Sequence, residues 1–317
     1  MKKQLALAVA GLALVAACDR STSAPELSGG PEAPMLGMVG SRFAVNPHIN
    51  TAISAAALVG NMVRNGGNVM PANATYNIYW GPAWATSPGD KIAGLNAFTA
   101  GFGGSNYAHT NTEYNGVDGR FAGTTSTFLG SSVDNASAPT RAPAVSTIQN
   151  EVCKVLSAKG ITPRADGIYN VYATTKRGSA GYCAWHSYGS CAGVPVQFAW
   201  YFNLDGDAGC DPGTPTGSYT AGHTNSQGLV ALSSVTAHEM SETITDPRNG
   251  GWYDSGGNEN GDKCAWSFSP NNGGLVTLSN GATFKIQMEW SNKAFTASSG
   301  YANRDGQKAC LDGVVKF

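Results

Sequence analysis

The sequence LVALSSVTAHEMSETITDP at residues 229–247 has the period of an α-helix with its ionisable groups on one side. At about 100° per residue, these groups share an arc of about 100°, and the apolar side chains lie opposite. The ionisable groups belong to His238, Glu239, Glu242 and Asp246. Pro247 ends the predicted helix, because proline lacks a backbone N–H and its ring clashes with the preceding turn. In a chain with only 13% charged residues, such a cluster indicates a functional site.

The spacing His238-Glu-x-x-Glu242 is that of an HExxH zinc helix with a carboxylate in place of the second histidine. Zinc accepts imidazole and carboxylate ligands one helical turn apart, and a glutamate beside the first ligand can activate water. We therefore predict His238 and Glu242 as zinc ligands and Glu239 as the catalytic general base. Two other interpretations remain open at this stage: a structural hydrogen-bond network, or a solvated helix face with an i,i+4 pair.

The third ligand has to come from another part of the chain. Asp246 is on the same helix face, but it lies about 12 Å along the axis from His238, which is far for one ion. Asp262, in a carboxylate-rich segment before Cys264, is the first choice, and His186, beside Cys183, is the alternative. Three protein ligands would leave the fourth zinc position to water.

Other segments predict an α+β fold with a single domain. Apolar or alternating runs predict strands at 76–80, 167–172, 194–204 and 283–290. Helical spacing and capping residues predict helices at 87–102, 145–159 and 229–246. Segments rich in Gly, Asn, Ser and Thr predict long loops, above all at 103–143 and 205–228.

The N-terminus predicts export. Residues 1–17 have a positive start and a short apolar core, typical of a signal peptide. The small residues before Cys18 resemble a bacterial lipoprotein signal, in which the chain is cut before this cysteine and the thiol is acylated; an ordinary secretory signal is the alternative. Residues 18–35 then form a flexible tether, and residues 36–317 form the folded domain.

The cysteines agree with export. Without Cys18, six remain as disulfide candidates, an even number that suits an oxidising compartment. They are Cys153, Cys183, Cys191, Cys210, Cys264 and Cys310. Their spacing does not fix the pairing, and the short separation makes a Cys183–Cys191 bridge our first guess.

Composition excludes two classes of partner. With 20 Lys+Arg against 21 Asp+Glu and no basic block, the chain lacks the positive surface that nucleic-acid binding requires. After the N-terminus, no apolar run reaches the roughly 18 to 20 residues that span a bilayer. Contact with a membrane is therefore expected only through the N-terminal lipid anchor.

Several strings resemble the EXORDIUM, or phosphate-induced protein, family. They lie at residues 182–186, 237–247, 252–254, 259–266 and 284–290, and the resemblance covers roughly residues 60–312. Plant members are secreted, cell-wall-associated proteins linked to growth, and bacterial relatives are exported. The resemblance implies a zincin-like domain with a mixed sheet and a motif-bearing helix. The chain departs from plant members in its lipoprotein signal and in an apparent insertion at 103–143.

Together these observations predict an exported, lipid-anchored metallohydrolase that cleaves a peptide or amide bond in a peptide or cell-wall substrate by metal-activated water. The alternative is a non-catalytic cell-surface or cell-wall module that binds glycans through its tryptophans. A calcium-stabilised scaffold is a third possibility.

Overall fold

The computed structural model describes residues 60–213 and 224–313, together with the backbone of residues 35–36. The predicted signal peptide, Cys18 and the predicted tether up to residue 34 lie outside the described residues. The strands are β1 (Met35–Leu36), β2 (Val63–Arg64), β3 (Ala72–Trp80), β4 (Thr125–Asp134), β5 (Gly167–Lys176), β6 (Ala184–Cys191), β7 (Val194–Asn203), β8 (Trp252–Tyr253), β9 (Leu275–Thr277), β10 (Thr283–Lys285), β11 (Glu289–Trp290), β12 (Tyr301–Ala302) and β13 (Lys308–Leu311). The helices are α1 (Ala83–Thr86), α2 (Lys91–Phe102), α3 (Val145–Ala158), α4 (Gln227–Thr245), α5 (Asn260–Lys263) and α6 (Asn292–Thr296), and a 3₁₀ helix spans Ala108–Glu113.

A six-stranded mixed sheet in the order β1-β6-β7-β5-β3-β4 forms the centre of the fold. The strands β4, β3, β5 and β7 are parallel to one another, whereas β6 runs antiparallel to both β7 and β1. Parallel strands are covered on both faces and therefore read as nearly continuous apolar runs. The first seven residues of β5 and seven consecutive residues of β7 are buried in this way. The predicted α+β class with a mixed sheet is confirmed.

Helix α4 packs against β6 and β7 on one side and against α2, α5 and β10 on others. Its N-terminus is capped by Ser226, whose side chain accepts a hydrogen bond from the Leu229 backbone. Asp90 in turn accepts hydrogen bonds from the backbone N–H and the hydroxyl of Ser226, at 2.7 and 2.6 Å. Every residue from Gly228 to Thr245 is buried, so the interpretation of α4 as having a solvated face is wrong.

Three sequence-based boundaries differ from the structure. The helix expected to start at residue 87 starts at Lys91, because Gly89 has a φ of +59°, a left-handed conformation that interrupts a helix. The segment 103–143, expected to be a loop, contains the 3₁₀ helix and β4. As an edge strand, β4 does not require the apolar run that would reveal it. The strand expected at 283–290 is divided into β10 and β11.

Three disulfides connect these elements. The pairs are Cys153–Cys191, Cys183–Cys210 and Cys264–Cys310. The guess that Cys183 pairs with Cys191 is wrong, because β6 extends between them and holds them about 26 Å apart at about 3.3 Å per residue. Three disulfides fit an extracellular protein. Within the described residues, no helix is both long and apolar enough to cross a bilayer.

Candidate metal centre

Three elements distant in sequence bring histidine and carboxylate side chains together. Helix α4 supplies His238, Glu239 and Glu242, β6 supplies His186, and the start of α5 supplies Glu259 and Asp262. The two histidines and the two glutamates of the α4–β6 part have no solvent exposure, and Asp262 retains 13% exposure of its side chain. The centre is therefore almost enclosed, with its least buried donor on the α5 side.

The first group of donors contains His238, Glu242 and Asp262. His238 Nε2 lies 3.0 Å from Glu242 Oε1 and 3.7 Å from Asp262 Oδ1. Neighbouring ligands of a tetrahedral zinc with bonds of about 2.1 Å are about 3.4 Å apart. The residues predicted as the ligand set thus come together at suitable distances.

The second group contains His186, Glu239 and Glu242. His186 Nδ1 lies 3.1 Å from Glu239 Oε2 and 3.6 Å from Glu242 Oε2. The other ring nitrogen, Nε2, lies 3.7 Å from Glu259 Oε2. His186 therefore faces Oε2 of Glu242, whereas His238 faces Oε1, and Glu239 lies beside His186.

The backbone of α5 closes over the first group. The Asp262 backbone N–H donates to Glu242 Oε1 at 3.0 Å. A Cβ on Gly261 would lie 2.8 Å from His238 Nδ1 and 2.9 Å from Glu242 Oε1, closer than side-chain carbons approach polar atoms. Gln287 donates to the Gly261 carbonyl at 2.8 Å, and Cys264–Cys310 ties the end of α5 to β13. Helix α5 is therefore held next to the first donor group by a hydrogen bond and by a disulfide.

Burial favours the neutral form of His186, His238, Glu242, Glu259 and Asp262. It raises the pKa of Glu242 and Glu259 well above the usual range, and it raises that of Asp262 to about 8, with Glu242 adding to the effect. It also lowers the pKa of His238 and lowers that of His186 to about 3, with His238 adding to the effect. Short histidine–carboxylate distances therefore do not make these contacts ion pairs. A bound cation reverses the preference of the carboxyls, because it stabilises carboxylate and binds neutral imidazole.

Several buried polar atoms of the centre make no hydrogen bond within the described residues. They are Nδ1 and Nε2 of His238, Nε2 of His186, Oε2 of Glu242 and Oε1 of Glu259. An unsatisfied buried polar group costs about 1–3 kcal/mol. Five such atoms within one centre indicate a ligand, and imidazole with carboxylate is the donor set of a transition metal.

Asp246, the alternative ligand on α4, belongs to neither group. Its Oδ1 accepts hydrogen bonds from the backbone of Gly250 at 2.7 Å and Gly251 at 2.8 Å. It lies at the C-cap of α4, where the chain turns away, so its carboxylate stabilises the following turn. Asp246 therefore lies outside both donor groups and caps the helix instead.

Two buried glutamates near the centre were not predicted as site residues. Glu259 forms a reciprocal capping box with Asp262, and the Glu-x-x-Asp spacing at the start of a helix was a signal that could have found it. Glu289, on β11, accepts a hydrogen bond from the hydroxyl of Tyr107. Burial raises the pKa of Glu289 well above its usual range, with Tyr107 opposing that shift and Glu242 adding to it.

A comparison of the chain with protein-family models, with characterised proteins and with solved structures finds no match.

Proposed function

We propose that this is an exported, lipid-anchored zinc protein with a zincin-like centre, and that its reaction is hydrolysis of a peptide or amide bond. The observation that carries the proposal is the first donor group, in which two ring nitrogens of His238 lack hydrogen bonds and two carboxyl groups lie beside Nε2. His238, Glu242 and Asp262 would hold the ion.

The donor set favours zinc over calcium. Calcium takes six to eight oxygen ligands, whereas zinc accepts imidazole nitrogen together with carboxylate oxygen. Gly261 leaves the space beside His238 and Glu242 that any other side chain would fill.

A zinc ion bound there would polarise a carbonyl group and lower the pKa of water. Around the ion, residues of the chain would orient the carboxyl groups of Glu242 and Glu239 and transfer protons. The Asp262 backbone N–H fixes one oxygen of Glu242, and His186 Nδ1 fixes one oxygen of Glu239. Glu239 is the proton acceptor in this proposal, as its place beside His238 in the sequence predicts.

Two further features support the proposed location and family. The three disulfides suit an oxidising compartment, and Cys18 follows a signal of the lipoprotein type. The strings at 182–186, 237–247 and 259–266, which carry the resemblance to the EXORDIUM family, each contribute donors to the centre. Mass spectrometry of the mature N-terminus tests the anchor, because an acylated Cys18 carries the mass of its fatty acids.

One observation favours a second candidate, a closed structural cation centre in a non-catalytic cell-surface protein. His238 and Glu242 are fully buried, and closed sites are typical of structural rather than catalytic zinc. Glycan binding through tryptophans has less support, because Trp80, Trp84, Trp185, Trp200 and Trp290 are buried.

Elemental analysis of the purified mature protein tests the cation, and peptide hydrolysis tests the reaction. We expect stoichiometric zinc that is lost from the Glu242→Gln variant. The matched control is Glu289→Gln, the same substitution at an equally buried glutamate outside both donor groups, which should keep its zinc. Wild-type protein without a divalent metal would overturn the proposal.

The Glu239→Gln variant separates the two candidates. Loss of hydrolysis with zinc still bound at the His238 group supports the hydrolase. Unchanged hydrolysis, or none in the wild type on a broad peptide panel, removes catalysis by this helix and leaves the structural cation centre.

A further inference from the structure

The two carboxylate oxygens of Glu242 face different histidines. Oε1 lies 3.0 Å from His238 Nε2, and Oε2 lies 3.6 Å from His186 Nδ1. Each histidine also has a carboxyl group of its own, Asp262 for His238 and Glu239 for His186. The centre thus consists of two imidazole–carboxylate groups that share one carboxylate.

We propose that the centre binds two divalent cations, one at His238 and Asp262 and one at His186 and Glu239, with Glu242 bridging them. This inference rests on the proposed cation centre and extends it to a second ion. In this arrangement Glu239 serves as a ligand of the second ion and no longer as a proton acceptor.

Distances within the second group support a cation there. The separations of 3.1 and 3.6 Å from His186 Nδ1 to Glu239 and Glu242 bracket the roughly 3.4 Å expected between neighbouring ligands of one zinc. Glu242 Oε2 is fully buried and makes no hydrogen bond within the described residues. A carboxylate that bridges through both oxygens suits a two-metal site, in which the ions are about 3.5–4 Å apart.

The charges support two ions rather than one. Four carboxyl groups surround the histidines: Glu239, Glu242, Glu259 and Asp262. Within the described residues, no lysine or arginine forms an ion pair with Glu242, Glu259 or Asp262. Two divalent cations would match the four carboxyl groups in their deprotonated forms, whereas one cation would leave two of them protonated, as burial favours.

Glu259 lies next to the second group, near the other ring nitrogen of His186. It lies 3.7 Å from His186 Nε2, the ring nitrogen opposite the one that faces Glu239. A histidine that binds a metal through one nitrogen commonly donates from the other to a carboxylate, which fixes the ring. The 3.7 Å separation exceeds a hydrogen bond, so Glu259 would become a positioning residue for His186 if this contact shortens when the ion binds. The capping box with Asp262 links Glu259 to the first group.

Zinc stoichiometry of the mature protein tests the inference without any variant. The protein is equilibrated with Zn²⁺, separated from free metal by gel filtration, and analysed for zinc per chain. We expect two equivalents. One equivalent overturns the second ion and leaves the proposed function in place, whereas none overturns both.

Single variants then assign the two ions. His186→Gln and Glu239→Gln should each reduce zinc from two equivalents to one, and the remaining ion should be lost on adding His238→Gln. Glu289→Gln should keep two. If Glu239→Gln keeps two equivalents, Glu239 is not a ligand and the second group is wrong. Far-ultraviolet circular dichroism checks that each variant is folded, and the wild-type stoichiometry decides the number of ions if a variant is not.

Discussion

The segment from Asp254 to Cys264 contains two sets of buried acids that differ in how their charge is balanced. Asp254 contacts Lys263 Nζ through Oδ2 at 3.0 Å, and its Oδ1 accepts three hydrogen bonds from Gly256 and Asn258. Lys263 also lies over the ring of Trp290, 4.3 Å from its centroid. Glu259 and Asp262, a few residues away, contact only histidines among their ion-pair partners in the described part of the chain.

The difference shows what each set requires. At Asp254 the chain provides its own cation and satisfies both carboxylate oxygens, so the pair is complete without any ligand. At Glu259 and Asp262 the chain provides neutral imidazoles and leaves polar atoms unsatisfied. Because Asp254 and Glu259 are both buried and lie in the same segment, burial alone does not explain the difference. The proposed cation from solution would account for it.

Removing Lys263, the cation that the chain itself provides to Asp254, is expected to lower the stability of the fold most. Lys263→Met keeps the side-chain length but leaves Asp254 buried without its charged partner, and such a break costs about 3–5 kcal/mol of unfolding free energy. Denaturant unfolding measures the loss. The control is Arg164→Met, at an ion pair with Asp166 in which the two side chains are 47% and 41% exposed, where the loss should stay below about 1 kcal/mol.

A double variant sharpens that result. Lys263→Met with Asp254→Asn removes both charges and should recover part of the stability lost in the single variant. An equal or larger loss in the double variant would show that Lys263 stabilises the fold through Trp290 rather than through Asp254.

Removing the proposed zinc ion is expected to lower the stability of the fold somewhat less. With free zinc at 100 times its dissociation constant, one bound ion stabilises the folded chain by about 2.7 kcal/mol. For a domain of this size that corresponds to a fall of about 5–10 °C in Tm when a zinc-selective chelator is added. Calorimetry of the mature protein measures it.

The chelator response separates the two sets of acids. Lys263→Met should retain it, because the Asp254 pair does not bind the ion, whereas His238→Gln should lose it. A fall in Tm with EGTA but not with a zinc-selective chelator would instead identify a calcium-stabilised centre.

Much of the fold could be predicted from local patterns. The period of 3.6 residues predicted α3 and α4 to within two residues at each end, because each helix buries apolar side chains along its length. Strands β5 and β7 were found because they are covered on both faces and hence apolar. Strand β6, with the sequence AWHSYGSC, has no such run, and only its pairing with β7 reveals it.

The donor residues were predicted better than their grouping. The HExxE spacing identified three of them, because one helical turn fixes their separation. That His186 meets Oε2 of Glu242 and the Asp262 backbone meets Oε1 depends on β6 and on the Cys264–Cys310 link, neither of which is a local property. The disulfide pairing failed for the same reason, since it depends on which strands are neighbours.

A third set of acids, Asp134 and Glu151, is only partly balanced by a cation of the chain. It is expected to give the smallest effect on stability. Asp134 and Glu151 share the half-exposed ammonium group of Lys154. A hydrogen bond from Glu151 lowers the pKa of Asp134 to about 2. Burial raises the pKa of Glu151 from its usual 4.5 to about 7, and Asp134 adds to the rise. Lys154 thus keeps Asp134 charged, whereas Glu151 holds a proton up to near neutral pH.

The sign of the pH dependence follows from Glu151. Because its pKa is higher in the folded chain, the folded state retains a proton that the unfolded state releases, so stability falls as pH rises from about 4.5 to 7. Each pKa unit corresponds to 1.36 kcal/mol, and allowing for screening at the partly exposed Lys154 we expect a loss of about 1–2 kcal/mol. Glu151→Gln, which resembles the protonated form, should abolish this slope in denaturant unfolding at a series of pH values, whereas Asp305→Asn at a 40% exposed acid should keep it. A slope that survives Glu151→Gln would mean that the proton is held elsewhere and that Lys154 is enough to balance both acids.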